Sequence, residues 1–209
     1  IFKQHQETPV ITGEFSFCIP SDTLHEFIAF DNSSFLTPQY IGAVPNQNLH
    51  GLSSANLMII TPEIFLNEAT QLANHHISHD NISTHVVTTA QIYNEFSSGV
   101  QDVAAIRDFV RFIHTKGQGT SDSLRFILLF GDASYDYKNR ISGNTNFVPS
   151  FQSLNSFDPT QSYITDDFFT LLDANEGTVS GSETMDIGIG RIPVKTHTEA
   201  QNAVTKIIN

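Results

Sequence analysis

The chain has 209 residues, 39% of them hydrophobic and 17 of them Phe, which supports a packed core and excludes a disordered polymer. Lys and Arg total 10 against 22 Asp and Glu, and the net charge of −12 leaves too little basic surface to hold a nucleic-acid backbone or an anionic membrane. The longest apolar runs, such as Leu57-Met58-Ile59-Ile60, fall far short of the roughly 20 residues a transmembrane helix needs.

Residues 1–54 read as a β-rich appendage or the end of a preceding domain, followed by a connector. Residues 14–19 alternate polar and apolar side chains and predict a half-buried strand that Pro20 ends. Residues 25–30 predict a second strand, with Asp22 in the connection and Asp31-Asn32 closing it in a turn. Residues 35–55, rich in Asn, Gln, Pro and Gly, predict an extended connector.

From Asn56 onward the pattern changes to alternating strands and helices. The continuous apolar strand at 57–60 is expected where both faces of a sheet are covered. Thr61-Pro62-Glu63 predicts a helix start with Thr61 as cap, and Phe65, Ala69, Leu72, Ala73 and His76 share one face of the helix at 62–78. Residues 84–88 predict the next strand and residues 90–96 a short helix. Val103, Ile106, Phe109, Val110 and Ile113 mark a helix at 100–115, stopped near Gly117. Residues 126–130 predict a third strand, residues 139–160 a long loop, residues 186–190 a fourth strand, and residues 198–208 a last helix. This order predicts an α/β domain over 55–209 with a mainly parallel sheet, whose functional residues sit in loops at the strands' carboxyl ends.

Those loops hold the candidate site. Asp132 follows the third strand directly, with Asp136 in the same loop, and Asp166-Asp167 lie between aromatic residues farther on. Each carboxylate can cap its own turn. If the loops of adjacent strands meet, the four could instead share a divalent cation such as calcium, bound by oxygen ligands. Asp173-Ala174-Asn175-Glu176-Gly177 begins like a calcium loop but lacks the distal Glu at the required spacing, so a tight acidic turn is expected.

The single cysteine, Cys18, excludes an intramolecular disulfide and a multi-Cys zinc site, and no helix start or glycine-rich turn beside it marks it as a nucleophile. His75 and His79 stand at i and i+4, a spacing that binds metals, but without an H-E-x-x-H pattern a solvated helix face is the expectation. A magnesium-dependent phosphoryl-transfer domain with Asp132 at a strand end would need a basic or hydroxyl partner that the sequence does not locate.

Several segments in order carry a family resemblance: Asn46-Gln47-Asn48-Leu49-His50-Gly51-Leu52, the strand into Thr61-Pro62, residues 126–138 with Gly131-Asp132-Ala133-Ser134-Tyr135-Asp136-Tyr137-Lys138, residues 163–169, and residues 186–194 with Glu199-Ala200 after them. Together they resemble the gingipain-type cysteine peptidases, and within them the type IX secretion sortases of Bacteroidetes. The resemblance implies a caspase-like three-layer α/β/α sandwich, truncated, with protein or peptide substrates and an exported location at the bacterial outer membrane surface or outside the cell. It also implies a Cys-His catalytic pair, with the His between two glycines and the Cys at a later strand end. No Gly-His-Gly occurs and Cys18 lies on the wrong side, so none of these 209 residues matches the pair, which is expected beyond Asn209. Both ends read as cut. Asp132, Asp136, Asp166 and Asp167 carry over as positions, expected to bind a cation or brace loops. The competing expectation is a noncatalytic, cation-stabilised binding module of a surface or secretion complex. A truncated sheet is also expected to leave an edge through which copies can associate.

Overall fold

Strand β1 (Leu57–Thr61) is buried along its whole length because it lies inside a parallel sheet covered on both faces. The computed structural model describes Pro20, Leu24, Glu26, Ser33 and residues 35–40, 42–154, 157–179 and 182–209. The chain divides into two units, Ile1–Val44 and Pro45–Asn209. The strands expected at 14–19 and 25–30, and Cys18, lie outside the described residues.

In the second unit, α1 (Leu66–Ser78) follows β1 after a 3-10 turn at Glu63–Phe65. Next come β2 (Thr84–Thr88), α2 (Thr89–Phe96), α3 (Val103–Gly117) and β3 (Phe126–Phe130). The strands β4 (Phe151–Gln152) and β5 (Ile164–Thr165) precede a second 3-10 turn at Asp167–Thr170, and β6 (Gly188–Ile192) and α4 (His197–Ile208) close the chain. The main sheet runs β2-β1-β3-β6 with every neighbouring pair parallel.

Strand side chains alternate between two cores. Met58, Ile60, Ile127 and Leu129 pack with α2 and α3 through Ile92, Ile106, Phe109, Val110 and Ile113. Leu57, Ile59 and Phe130 pack on the other face with α1 and α4 through Phe65, Ala69, Leu72, Ala200 and Val204. The two layers follow from chain handedness. The path from β1 to β2 moves one way across the sheet, and the path from β2 to β3 moves back across β1. Right-handed crossovers therefore place α1 and α2–α3 on opposite faces. The link from β3 to β6 continues in the second direction, and its Phe168, Phe169 and Leu172 join the α3 side. The result is the α/β domain with a parallel sheet that the strand and helix pattern predicts, in the three-layer α/β/α arrangement that the resemblance implies.

Local chemistry sets the element ends. Thr88 and Gln91 form a reciprocal capping box that starts α2 directly from β2. Asp102 caps α3 and Thr196 caps α4. Three expectations shift. Thr61 does not cap α1: it is a buried strand residue whose hydroxyl donates to the Phe130 carbonyl at 3.1 Å. The last strand begins at Gly188 because the Asp186 carboxylate leaves the strand path to accept the Leu172 amide at 2.8 Å. The loop expected at 139–160 contains β4, which pairs with β5 in a small antiparallel ribbon.

Candidate functional site at the carboxyl edge of the sheet

Connections leave β1 and β3 in opposite directions, so the sheet's switch point lies between them, where open α/β sheets place ligands. Here the crevice is filled from within. Gly131 ends β3 with φ of +150°, and a Cβ there would stand 3.1 Å from Val148 Cγ2 and 3.2 Å from both Phe147 Cβ and Pro62 Cδ. Glycine is needed for both the close approach and the backbone angle. The Asp132 carbonyl accepts the Phe147 and Val148 amides at 3.0 and 3.1 Å, and the Asp132 amide donates to the Val194 carbonyl at 3.0 Å. Val148 is fully buried.

The hub of this edge is Arg191 on β6. Its Nε and Nη2 donate to Asp166 Oδ2 and Oδ1, both at 2.7 Å. Its Nη1 donates to the carbonyls of Gly131 at 2.8 Å and Val148 at 2.7 Å, and Nη2 also donates to Ser150 Oγ at 3.0 Å. Ser150 in turn donates to Asp166 Oδ1 at 2.6 Å. One guanidinium thus ties the end of β3, the 147–150 loop and the turn after β5 to β6. The sequence reading includes Arg191 in a motif but gives it no role. The available signal is a lone guanidinium between Gly190 and Ile192 at a strand end, where it must find carboxylate and carbonyl partners.

The four aspartates have separate tasks. Asp132 Oδ2 accepts from Thr145 Oγ1 at 2.6 Å and lies 3.4 Å from Lys195 Nζ. Asp136 is buried and closes its own loop: Oδ2 accepts the Ile141 amide at 2.7 Å, and its carbonyl accepts Asn144 Nδ2 at 2.9 Å. Asp166 is the carboxylate of the Arg191 pair. Asp167 is exposed at the start of the 3-10 turn, where its carbonyl accepts from Thr170 Oγ1 at 2.7 Å. Among the described residues, one set of three or more potential ligands lies within 4.8 Å, and it is His75, His79 and Asp80, remote in sequence from these four. The acidic segment at 173–177 is a turn, with the Glu176 amide donating to the Asp173 carbonyl at 3.3 Å. Arg107 holds it by donating to the carbonyls of Leu171 at 2.6 Å and Glu176 at 2.9 Å.

A second polar centre lies beside α2. Glu95 Oε1 accepts from the Leu49 amide at 2.7 Å and Gln47 Nε2 at 2.9 Å. Its Oε2 accepts the His50 amide at 3.1 Å and lies 2.6 Å from His50 Nδ1. Burial pushes this carboxyl upward. The Leu49 amide, Gln47, and the ring and amide of His50 outweigh burial and hold it down at about 2. The His50 ring stacks on Phe96 at a centroid distance of 4.8 Å, and Lys116 donates to the carbonyls of His50 and Leu52. Residues 47–52, expected as part of a connector, are therefore fastened to α2 and α3 within the second unit.

Residues 50–209 match peptidase family C25. The crystal structure of dimeric latent PorU from Porphyromonas gingivalis is similar, with 34% sequence identity and a TM-score of 0.73 over 84% of this chain. The matched region is 17% of the PorU chain. No curated protein matches.

Proposed function

Because this chain belongs to peptidase family C25, we propose that it forms the amino-terminal part of a gingipain-like peptidase domain acting on peptide bonds of exported proteins. The observation that supports this reading is the match over residues 50–209, which spans the main sheet and the braced carboxyl edge. In this proposal the 209 residues supply scaffold and one wall of the cleft. Chain beyond Asn209 supplies a cysteine thiolate that attacks the scissile carbonyl and a histidine that protonates the departing amine. Water releases the acyl group in a peptidase, and a second amine takes it in a sortase. The likeness to PorU favours the sortase branch, and with it an exported protein at the cell surface. No helix among the described residues is long and apolar enough to cross a membrane.

The four aspartates act in this proposal as loop braces that hold the wall in shape. The outer edge of β6, which pairs only with β3 among the described residues, is the proposed place for association between copies.

Assaying the longer natural protein beside the 209-residue chain on peptide substrates, with and without an added amine, tests the reading. Thiol-dependent cleavage or transfer by the longer protein alone, unchanged by Cys18→Ala, is the expected result. Cleavage by the 209-residue chain that Cys18→Ala abolishes would overturn the division of labour. A longer protein that binds peptides without cleaving or transferring them would make this a binding module.

A further inference from the structure

Helix α1 ends in the segment His75-His76-Ile77-Ser78-His79-Asp80, away from the carboxyl edge and unused by the proposed peptidase role. The His75 and His79 rings stack one turn apart, with centroids 4.9 Å apart and planes inclined by 12°. Asp80 lies just past the helix end. Its Oδ1 is 2.8 Å from His79 Nδ1 and its Oδ2 is 2.6 Å from His76 Nδ1. One ring nitrogen of His75, one of His79 and one Asp80 oxygen all lie within 4.8 Å of one another.

The backbone holds this group in place. The His79 amide donates to the His75 carbonyl at 2.8 Å. Asn81 then takes a left-handed φ of +57°, and the Ile82 amide returns to the His76 carbonyl at 3.0 Å. Asp80 is therefore fixed between a helix turn and a closed cap, and His76 fixes the direction of its carboxylate. The negative end of the helix dipole favours a cation at this C-terminus, as does the chain's net charge of −12.

We infer that His75, His79 and Asp80 form a surface site for a late first-row divalent transition metal, with zinc the representative ion. Two imidazoles and one carboxylate are a ligand set that suits zinc or copper rather than calcium or magnesium, which select oxygen ligands. Small side-chain rotations bring the three atoms from within 4.8 Å to the roughly 3.3 Å separation that Zn–N distances of about 2.0–2.1 Å imply. His76 serves as the outer partner that orients Asp80, as carboxylate and histidine ligands commonly require. The three ligands leave a coordination position for water or for a group from a partner.

The site is tested by calorimetric titration of the 209-residue chain with zinc chloride in a non-chelating buffer. One equivalent should bind, and imidazole NMR resonances of His75 and His79 should shift while those of His50 and His114 stay. His75→Ala with His79→Ala should weaken binding by about a hundredfold, and Asp80→Asn by about tenfold. Circular dichroism of each variant verifies the fold, and His114→Gln should bind as the parent does. Absence of zinc binding by the parent chain, or unchanged binding in the double variant, would overturn the inference.

Discussion

Arg191 and Asp166, 25 positions apart in sequence, face each other as a planar fork with two hydrogen bonds of 2.7 Å. The remaining N–H groups of Arg191 reach the carbonyls of Gly131 and Val148 and the hydroxyl of Ser150, so all five donors are used. The Arg191 and Asp166 side chains are 13% and 23% exposed, which limits solvent screening of the pair. Arg191→Met leaves the Asp166 carboxylate without its counter-charge and removes a donor from two carbonyls. We expect a loss of about 3 kcal/mol in urea unfolding. Arg191→Lys should recover little, because a point charge cannot span the same five acceptor sites. A Met variant within about 0.5 kcal/mol of the parent would show that the fork braces nothing.

Glu95 gives a pH-dependent fastening of residues 47–52. Its carboxyl is held at about 2 in the folded chain against an ordinary value of 4.5. A depressed folded value favours the ionised form, so its contribution is complete above about pH 4.5 and disappears as pH falls toward 2. Hydrogen exchange at the Leu49 and His50 amides, both donors to Glu95, should accelerate over that interval before the sheet amides do. Glu95→Ala should release the same amides at neutral pH and cost about 2 kcal/mol, the scale of losing charge-assisted hydrogen bonds. Parallel exchange of these amides and the β1 amides at every pH would contradict a local latch.

The difference between what the sequence shows and what it hides is physical. Leu57-Met58-Ile59-Ile60 and the 126–130 run are legible because burial on both faces demands apolar residues, and that demand is local. The α3 face is legible because its apolar residues repeat with the helical period. Arg191 is not, since its role depends on Gly131, Val148, Ser150 and Asp166, at separations from 25 to 60 residues. The fastening of Leu49 to Glu95 spans 46 residues and is hidden for the same reason. Thr61 reads as a helix cap because Thr-Pro-Glu is a common cap pattern, whereas the neighbouring β3 carbonyl captures its hydroxyl. The pair His75 and His79 is visible from spacing alone, whereas the orientation of Asp80 toward them depends on its hydrogen bonds to His76 and His79 past the helix end.

Calcium is the remaining question for the carboxyl edge. A shared ion would need several of Asp132, Asp136, Asp166 and Asp167 to turn uncompensated oxygens toward one point. Asp166 already faces the guanidinium of Arg191, and Asp132 faces Lys195 Nζ at 3.4 Å with Thr145 donating to the same oxygen. Asp136 spends Oδ2 on the Ile141 amide inside its own loop. Moving any of them onto an ion breaks a bond that the loop uses, and the cation would meet two neighbouring positive side chains. We therefore expect equal melting temperatures in excess calcium and in excess chelator. An ion present at a hundredfold its dissociation constant would add about 2.7 kcal/mol, which raises the melting temperature of a domain this size by several degrees. Asp136→Asn should instead lower the melting temperature by a similar amount in either solution, because the Ile141 amide loses a charged acceptor. A melting temperature that rises with calcium in the parent and not in Asp136→Asn would replace bracing with ion binding at this edge.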